Sequence, residues 1–208
     1  MDARRWMPRV TALIALIAII LIGAPGAQAQ LTVKGDTAAW EELNTAFKKL
    51  DALSGYRMKT TVGTSTMVME IVPPHSYHSI FNTGVATDET MNVNGQVRHR
   101  MIGLPSVPSG WQCLAVSPPN FSDSLAAIQG TVDGMVRGPD TTIDGAPVRT
   151  YVYFYTTPGQ TTAKKNTTYV GTETGLPRRT VMGTDTPEMT TDYFDYGAKI
   201  EIMLPPCG

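Results

Sequence analysis

The alternation of hydrophobic and polar positions along this 208-residue chain changes period several times, and each change marks an element. Residues 10–22 are almost wholly apolar and have no period; Arg4, Arg5 and Arg9 precede them, and Ala27-Gln28-Ala29 follows. A basic start, a short apolar run and a small-x-small site form the pattern of a secretory signal peptide, and a run of about 13 residues falls short of the ~20 that span a hydrocarbon core. The pattern predicts a cleaved segment at 1–29 and one mature domain at 30–208, soluble in the periplasm or outside the cell. No cysteine lies near the cut to carry a lipid anchor.

Between residues 36 and 53 the period is that of a helix, with Trp40, Leu43, Phe47 and Leu50 falling on one face. Asp36 or Thr37 is placed to cap the start, Lys48 and Lys49 sit near the negative end of the helix dipole, and Ser54-Gly55 ends the pattern. After Gly55 the period drops to two. Tyr56, Met58, Thr60 and Val62 alternate with polar neighbours, and Met67, Met69 and Ile71 do the same beyond a Gly63-Thr64-Ser65 turn. Pro73-Pro74 stops that strand, a run from Tyr77 to Phe81 follows, and Asn94-Gly95 marks a two-residue hairpin. Residues 103–120 are too rich in proline for a regular element, and a short helix is expected at about 122–129. Strands are expected again at 147–156, 167–171, 178–182, 189–194 and 199–204.

A sheet of this size needs its apolar face covered, and two helices are available to cover it. The fold expected is α+β: a strongly curved, unclosed antiparallel sheet, a half-barrel, wrapped over one long and one short helix. Such a shape leaves an apolar concavity between sheet and helices. The 27 threonines after residue 29 agree with a strand-rich mature domain. Without the signal, fourteen basic residues stand against seventeen acidic ones, which gives nucleic acid no basic surface to bind. Cys113 and Cys207 are the chain's two cysteines, and in an oxidising compartment such a pair is expected to form a structural disulfide.

Several of these strings, in this order, resemble a known family. They are the opening helix that ends in Leu-Ser-Gly-Tyr, the strand ending at Pro73-Pro74, the Val93-Asn94-Gly95-Gln96-Val97 hairpin, the turn and strand from Asp144 to Tyr151, and Thr174-Gly175-Leu176-Pro177-Arg178. With the export signal, they are similar to the periplasmic lipoprotein-sorting (LolA/LolB-type) superfamily and its actinobacterial lipid-binding relatives. The resemblance covers nearly the whole mature chain and rests on turn signatures. It implies an unclosed barrel with helices as a lid, holding acyl chains or another hydrophobic ligand. Carriers of that superfamily have a basic residue just before the strand-ending proline, where this chain has Pro73. The role implied therefore narrows from lipoprotein shuttling to holding a hydrophobic ligand or binding an envelope protein.

The candidate pocket face is Met58, Met67, Met69, Ile71, Met91 and Met101, with Trp111 at the loop rim and Tyr153 and Tyr155 as further lining. Methionine is flexible and polarizable and suits a cavity that accepts varied shapes, although it is also ordinary core filler. His75, His78 and His99 are read as surface or turn residues, because positions three apart on a strand face opposite ways, and no metal or cofactor is expected. Asp185 with Glu188 and Asp192 with Asp195 carry no sign of the split environments that acid and base catalysis requires. Nucleophile-elbow and phosphate-loop motifs are absent, and no enzyme is expected. Asn120 and Asn166 fit the glycosylation triplet. The function expected is non-catalytic binding of a lipid, acyl chain or acylated protein by a monomer, with carriage across the envelope. The alternative is an envelope protein-interaction or sensing module whose cavity is filled.

Overall fold

The computed structural model of the chain describes residues 31–114, 130–157, 159–184 and 187–208. The expected signal segment, the short helix near 122–129, Asn120 and Asp185 lie outside the described residues.

The helix α1 spans Thr37–Asp51, with Asp36 as its cap: one carboxylate oxygen accepts from the amides of Ala38 and Ala39 at 3.0 and 3.1 Å. Its most buried line is Ala39, Leu43, Ala46 and Leu50, one position round from the line the pattern predicted. Trp40 and Phe47 are half-buried and pack from the side. The two alanines set this rotation, since their small side chains let the helix axis approach the sheet closely.

The strands are β1 (Thr32–Gly35), β2 (Tyr56–Val62), β3 (Ser65–Val72), β4 (Ser76–Asn82), β5 (Thr87–Val93), β6 (Gln96–Ile102), β7 (Gln112–Leu114), β8 (Thr131–Arg137), β9 (Thr141–Ile143), β10 (Ala146–Thr156), β11 (Lys164–Gly171), β12 (Pro177–Met182) and β13 (Met189–Phe194). They form one sheet in the order β1-β8-β10-β11-β12-β13-β2-β3-β4-β5-β6-β7, with β9 on the flank of β10. β1 and β8 are parallel and every other pair is antiparallel. The sheet does not close on itself, so it is the expected half-barrel, and α1 packs inside it chiefly on β1, β8 and β12. The two meanders join where β13 pairs with β2.

Two core clusters hold α1 in place. Ala39, Leu43 and Ala46 meet Val132, Met135, Tyr151 and Val170. Leu50 meets Tyr56, Met69, Ile71, Tyr77 and Leu176. Asn94 and Gly95 at φ 50° and 85° form the expected hairpin turn with both central residues left-handed. Asp144-Gly145 repeats this geometry between β9 and β10.

Several strand expectations are corrected: β1 and β9 were not expected, and β7 forms within the proline-rich stretch 103–120, where no regular element is expected. β8 was not expected, because Gly134, at φ 61°, sits in a bulge that shifts the register opposite Val152 and Phe154. The bulge puts Val132 and Met135, three apart, on the same buried face and erases the period of two. Residues 199–204 do not pair with the sheet at all and run instead as an extended C-terminal strap.

Candidate functional site

Cross-strand partners share a face, so the register assigns each side chain to the concave side, which carries α1, or to the convex side. The row Tyr56, Ile71, Tyr77, Asn92, Val97, Leu114 is concave, because its first three members pack against Leu50 of α1. Two residues further along the strands comes Tyr193, Met58, Met69, Ser79, Thr90, His99. Another step gives Thr191, Thr60, Met67, Phe81, Asp88, Met101.

Five of the predicted pocket residues therefore share the concave face: Met58, Met67, Met69, Ile71 and Met101. They are not equally open. Ile71 is 1% and Met69 5% exposed within the core, whereas Met58, Met67 and Met101 are half-buried. Met91 is corrected. It pairs with His78 and Arg98 and lies on the convex face, because residue 91 is one step out of phase with the concave Asn92. Tyr153 and Tyr155 are concave but lie on β10, four strands away from β2 in the sheet order, packed against the first core cluster.

Phe81, Met182 and Met189 were missed as lining residues. Met182 pairs with Met189, which shares the Thr191 face, and Phe81 pairs with Met67, so all three are concave. The sequence shows both methionines within strand-like runs, but which strand neighbours β2 is not legible in it.

The concave floor is not uniformly apolar. The hydroxyls of Thr60 and Thr191 bond at 2.9 Å and those of Thr168 and Thr180 at 3.2 Å, closing a polar row beneath the helix side. Burial pushes Tyr153 and Tyr193 above the ordinary phenol range, against hydrogen bonds with Thr168 and Thr180 that pull the other way. At the far arm His99 bonds Asp88 at 3.1 Å beside Met101. A ligand here would meet apolar patches interrupted by hydroxyls and by the hydrogen-bonded His99 and Asp88.

The convex face carries a ladder of charges that crosses the strands. Asp195 meets Arg57 at 2.8 Å, Arg57 meets Glu70 at 2.7 Å, the His78 ring lies between Glu70 (3.4 Å) and Glu89 (2.8 Å), and Arg100 closes on Glu89 at 2.5 Å. Arg100 also sits 4.4 Å from the Trp111 ring centroid, which puts Trp111 with the convex side and not on the groove rim as expected. Burial raises the Glu70 carboxyl, but the Arg57 and His78 hydrogen bonds outweigh it and hold the group below its usual range.

The remaining candidates find structural partners. His78 and His99 face opposite sides of the sheet, and among the described residues no cluster of three His, Cys, Asp or Glu side chains is placed to hold a metal. Asp192 pairs with Arg179 at 2.5 Å and Glu188 with Lys164 at 2.7 Å, so both carboxylates are neutralised by cations. Asn166 is buried with its amide donating to the Lys164 carbonyl, which leaves it no access for a glycan. Cys113 and Cys207 are bridged as expected. A cleft of about 370 Å³ lies away from the methionines, between α1 and the turn after β11, lined by Glu41, Glu42, Thr45, Lys49, Arg149 and Gly175. Its wall includes Glu42, which accepts the Tyr151 hydroxyl at 2.6 Å.

No family model and no curated protein matches the chain. Among solved structures, LprF from Mycobacterium bovis aligns with a TM-score of 0.58, at 12% identity, over 84% of this chain and 100% of its own. The Mycobacterium tuberculosis lipoprotein LppX aligns with a TM-score of 0.50, at 10% identity, over 81% of this chain and 100% of its own. This chain has their fold. At such identities the likeness is one of architecture, and that architecture is the half-barrel implied by the sequence resemblance.

Proposed function

We propose that this protein is a non-catalytic binding protein that holds a hydrophobic ligand, a lipid or acyl chain, on the concave face of its half-barrel. It acts as a soluble monomer after export and carries the ligand across the cell envelope. The observation that carries this reading is the concave row that holds Met67 of β3, Phe81 of β4 and Met101 of β6, half-buried side chains with Asp88 of β5 between the last two, beyond the main contacts of α1. Large apolar side chains on a concave face are the usual lining of a site for an apolar ligand. The shared fold with a lipoprotein supports the same reading.

A second reading is favoured by the burial of Met69 and Ile71 and the packing of Met58 and Met67 against the same cluster. There the concavity is filled by the protein itself, and the molecule binds an envelope protein through its outer surface.

The deciding experiment is native mass spectrometry of the protein purified from its own cell envelope, followed by organic extraction and lipid identification, then titration with a fluorescent fatty acid. The first reading expects a stoichiometric acyl-bearing ligand and uptake of the probe, with Phe81→Asp weakening uptake at least tenfold, since a charge set on an apolar floor must be desolvated by the ligand. Bare polypeptide and no uptake would sink it and favour the filled module.

A further inference from the structure

After β13 the chain turns at Asp195–Ala198 and leaves the sheet. The Gly197 amide donates to the Gly55 carbonyl at 2.8 Å, so the strap starts beside β2. It ends at the free edge, where Arg98 donates to the Pro205 carbonyl at 3.2 Å, the Gly208 amide donates to the Trp111 carbonyl at 3.0 Å, and Cys207 is bridged to Cys113 of β7. Arg98 and Cys113 belong to the same convex row, so the strap is tied down on the outer face. From β2 to β7 is five strand spacings, about 24 Å, and nine extended residues reach about 30 Å, so the strap crosses with little slack.

Among the described residues, what holds the strap between its ends is slight. Ile200, Ile202 and Leu204 are half-buried and alternate with Lys199, Glu201 and Met203, which are exposed. Those three side chains, the half-buried Pro205 and the hydrogen bonds above must offset the ordering of some ten residues of backbone, a cost that such contacts do not meet without a covalent tie. β7 is equally dependent. It has three residues, all exposed, and among the described residues they pair with β6 alone, through Val97, Arg98 and His99. The same disulfide joins these two weakly held segments, and both of its cysteines are exposed.

We infer that Cys113–Cys207 is a redox clasp: a site of reversible thiol exchange, open to a dithiol, whose reduction releases the C-terminal strap and edge strand β7 together while the α1-covered part of the sheet stays folded. A thiolate of the dithiol attacks one sulfur to form a mixed disulfide, and its second thiol displaces the cysteine. Two electrons pass to the protein, which gains two thiols, and the dithiol leaves as a disulfide. The edge of the half-barrel on the Met101 side then depends on β6 alone. The inference does not rest on the ligand reading.

Hydrogen-exchange mass spectrometry on the full chain tests it, with and without dithiothreitol under native conditions, alongside the Cys113→Ser/Cys207→Ser variant. Exchange is expected to rise at least tenfold in residues 112–114 and 199–208 and to stay within twofold in β10 and β11. Reduced wild-type protein decides the matter even where the variant does not fold. Unchanged exchange in the strap and β7, or an equal rise across β10 and β11, overturns the clasp; the latter would make the bridge a staple of the whole domain.

Discussion

Replacing Glu89 with Gln tests whether the convex ladder contributes to stability in its middle. The Glu89 side chain is 9% exposed, and its carboxylate accepts from Arg100 at 2.5 and 2.6 Å and faces the His78 ring at 2.8 Å. Glutamine keeps the size and removes the charge. Breaking a fully buried pair costs about 3–5 kcal/mol, because the surviving partner is left uncompensated. Here Arg100 is 32% exposed and His78 16%, so water takes over part of the solvation and the expected loss falls to about 2 kcal/mol. For a chain of this size that lowers Tm by roughly 4–8 °C. Arg57→Gln provides the contrast at the open end of the same ladder, where Arg57, Glu70 and Asp195 are 33%, 30% and 49% exposed and water screens the pairs, so the expected loss is clearly smaller than at Glu89. Urea unfolding of both variants, followed by far-UV circular dichroism, reads the difference directly. If Glu89→Gln costs no more than Arg57→Gln, burial does not govern the strength of the ladder and the reasoning fails.

Asp36→Ala removes the acceptor of two helix amides and is expected to cost about 1 kcal/mol in the same urea assay, with Asp36→Asn nearly neutral. Burial, followed by the bond to Glu42, pushes the Tyr151 phenol up to about 12, and burial raises Tyr196 to about 12 as well. Their folded values lie above the unfolded value, so their contribution is complete below pH 10 and is lost as pH rises toward 12. Ultraviolet titration should show these phenols ionising late, together with unfolding, and early ionisation in the folded state would contradict the burial. Acidification acts on Glu70 in the opposite sense: its folded value is depressed, so its stabilisation is present above the ordinary glutamate value and lost below it. Arg57→Gln should flatten that acid limb, which a pH series of urea midpoints would reveal. Leu43→Ala, at a position 2% exposed against Val132 and Met135, should cost about 3 kcal/mol by calorimetry, well above the cost of Thr45→Ala on the exposed side of α1.

Much of the local structure was legible from the sequence because it depends on neighbours in the chain. The period of 3.6 and the Asp36 cap gave α1, the period of two gave β2 and β3, and Asn94-Gly95 gave the hairpin that joins β5 and β6. Each of these is decided within a dozen residues by backbone sterics and by the alternation of side chains. The half-barrel class followed from counting strands against available cover, and the Cys113–Cys207 bridge from there being two thiols to pair. What depends on partners distant in sequence was settled by the tertiary structure. Met91 went to the convex face because pairing with β4 and β6 fixes β5 one residue out of the assumed phase. Met182 and Met189 joined the concave face beside Thr60 and Met67 because β13 pairs with β2 across some 130 residues of chain, a closure that no local pattern encodes, whereas Phe81 was placed there by its pairing with Met67. β8 escaped notice because a bulge at Gly134 breaks its period, and residues 199–204, which read as a strand, became a strap because both edges of β13 were already taken by β12 and β2. A sequence states which face of an element is apolar; only the competition among strands for partners decides which apolar faces meet.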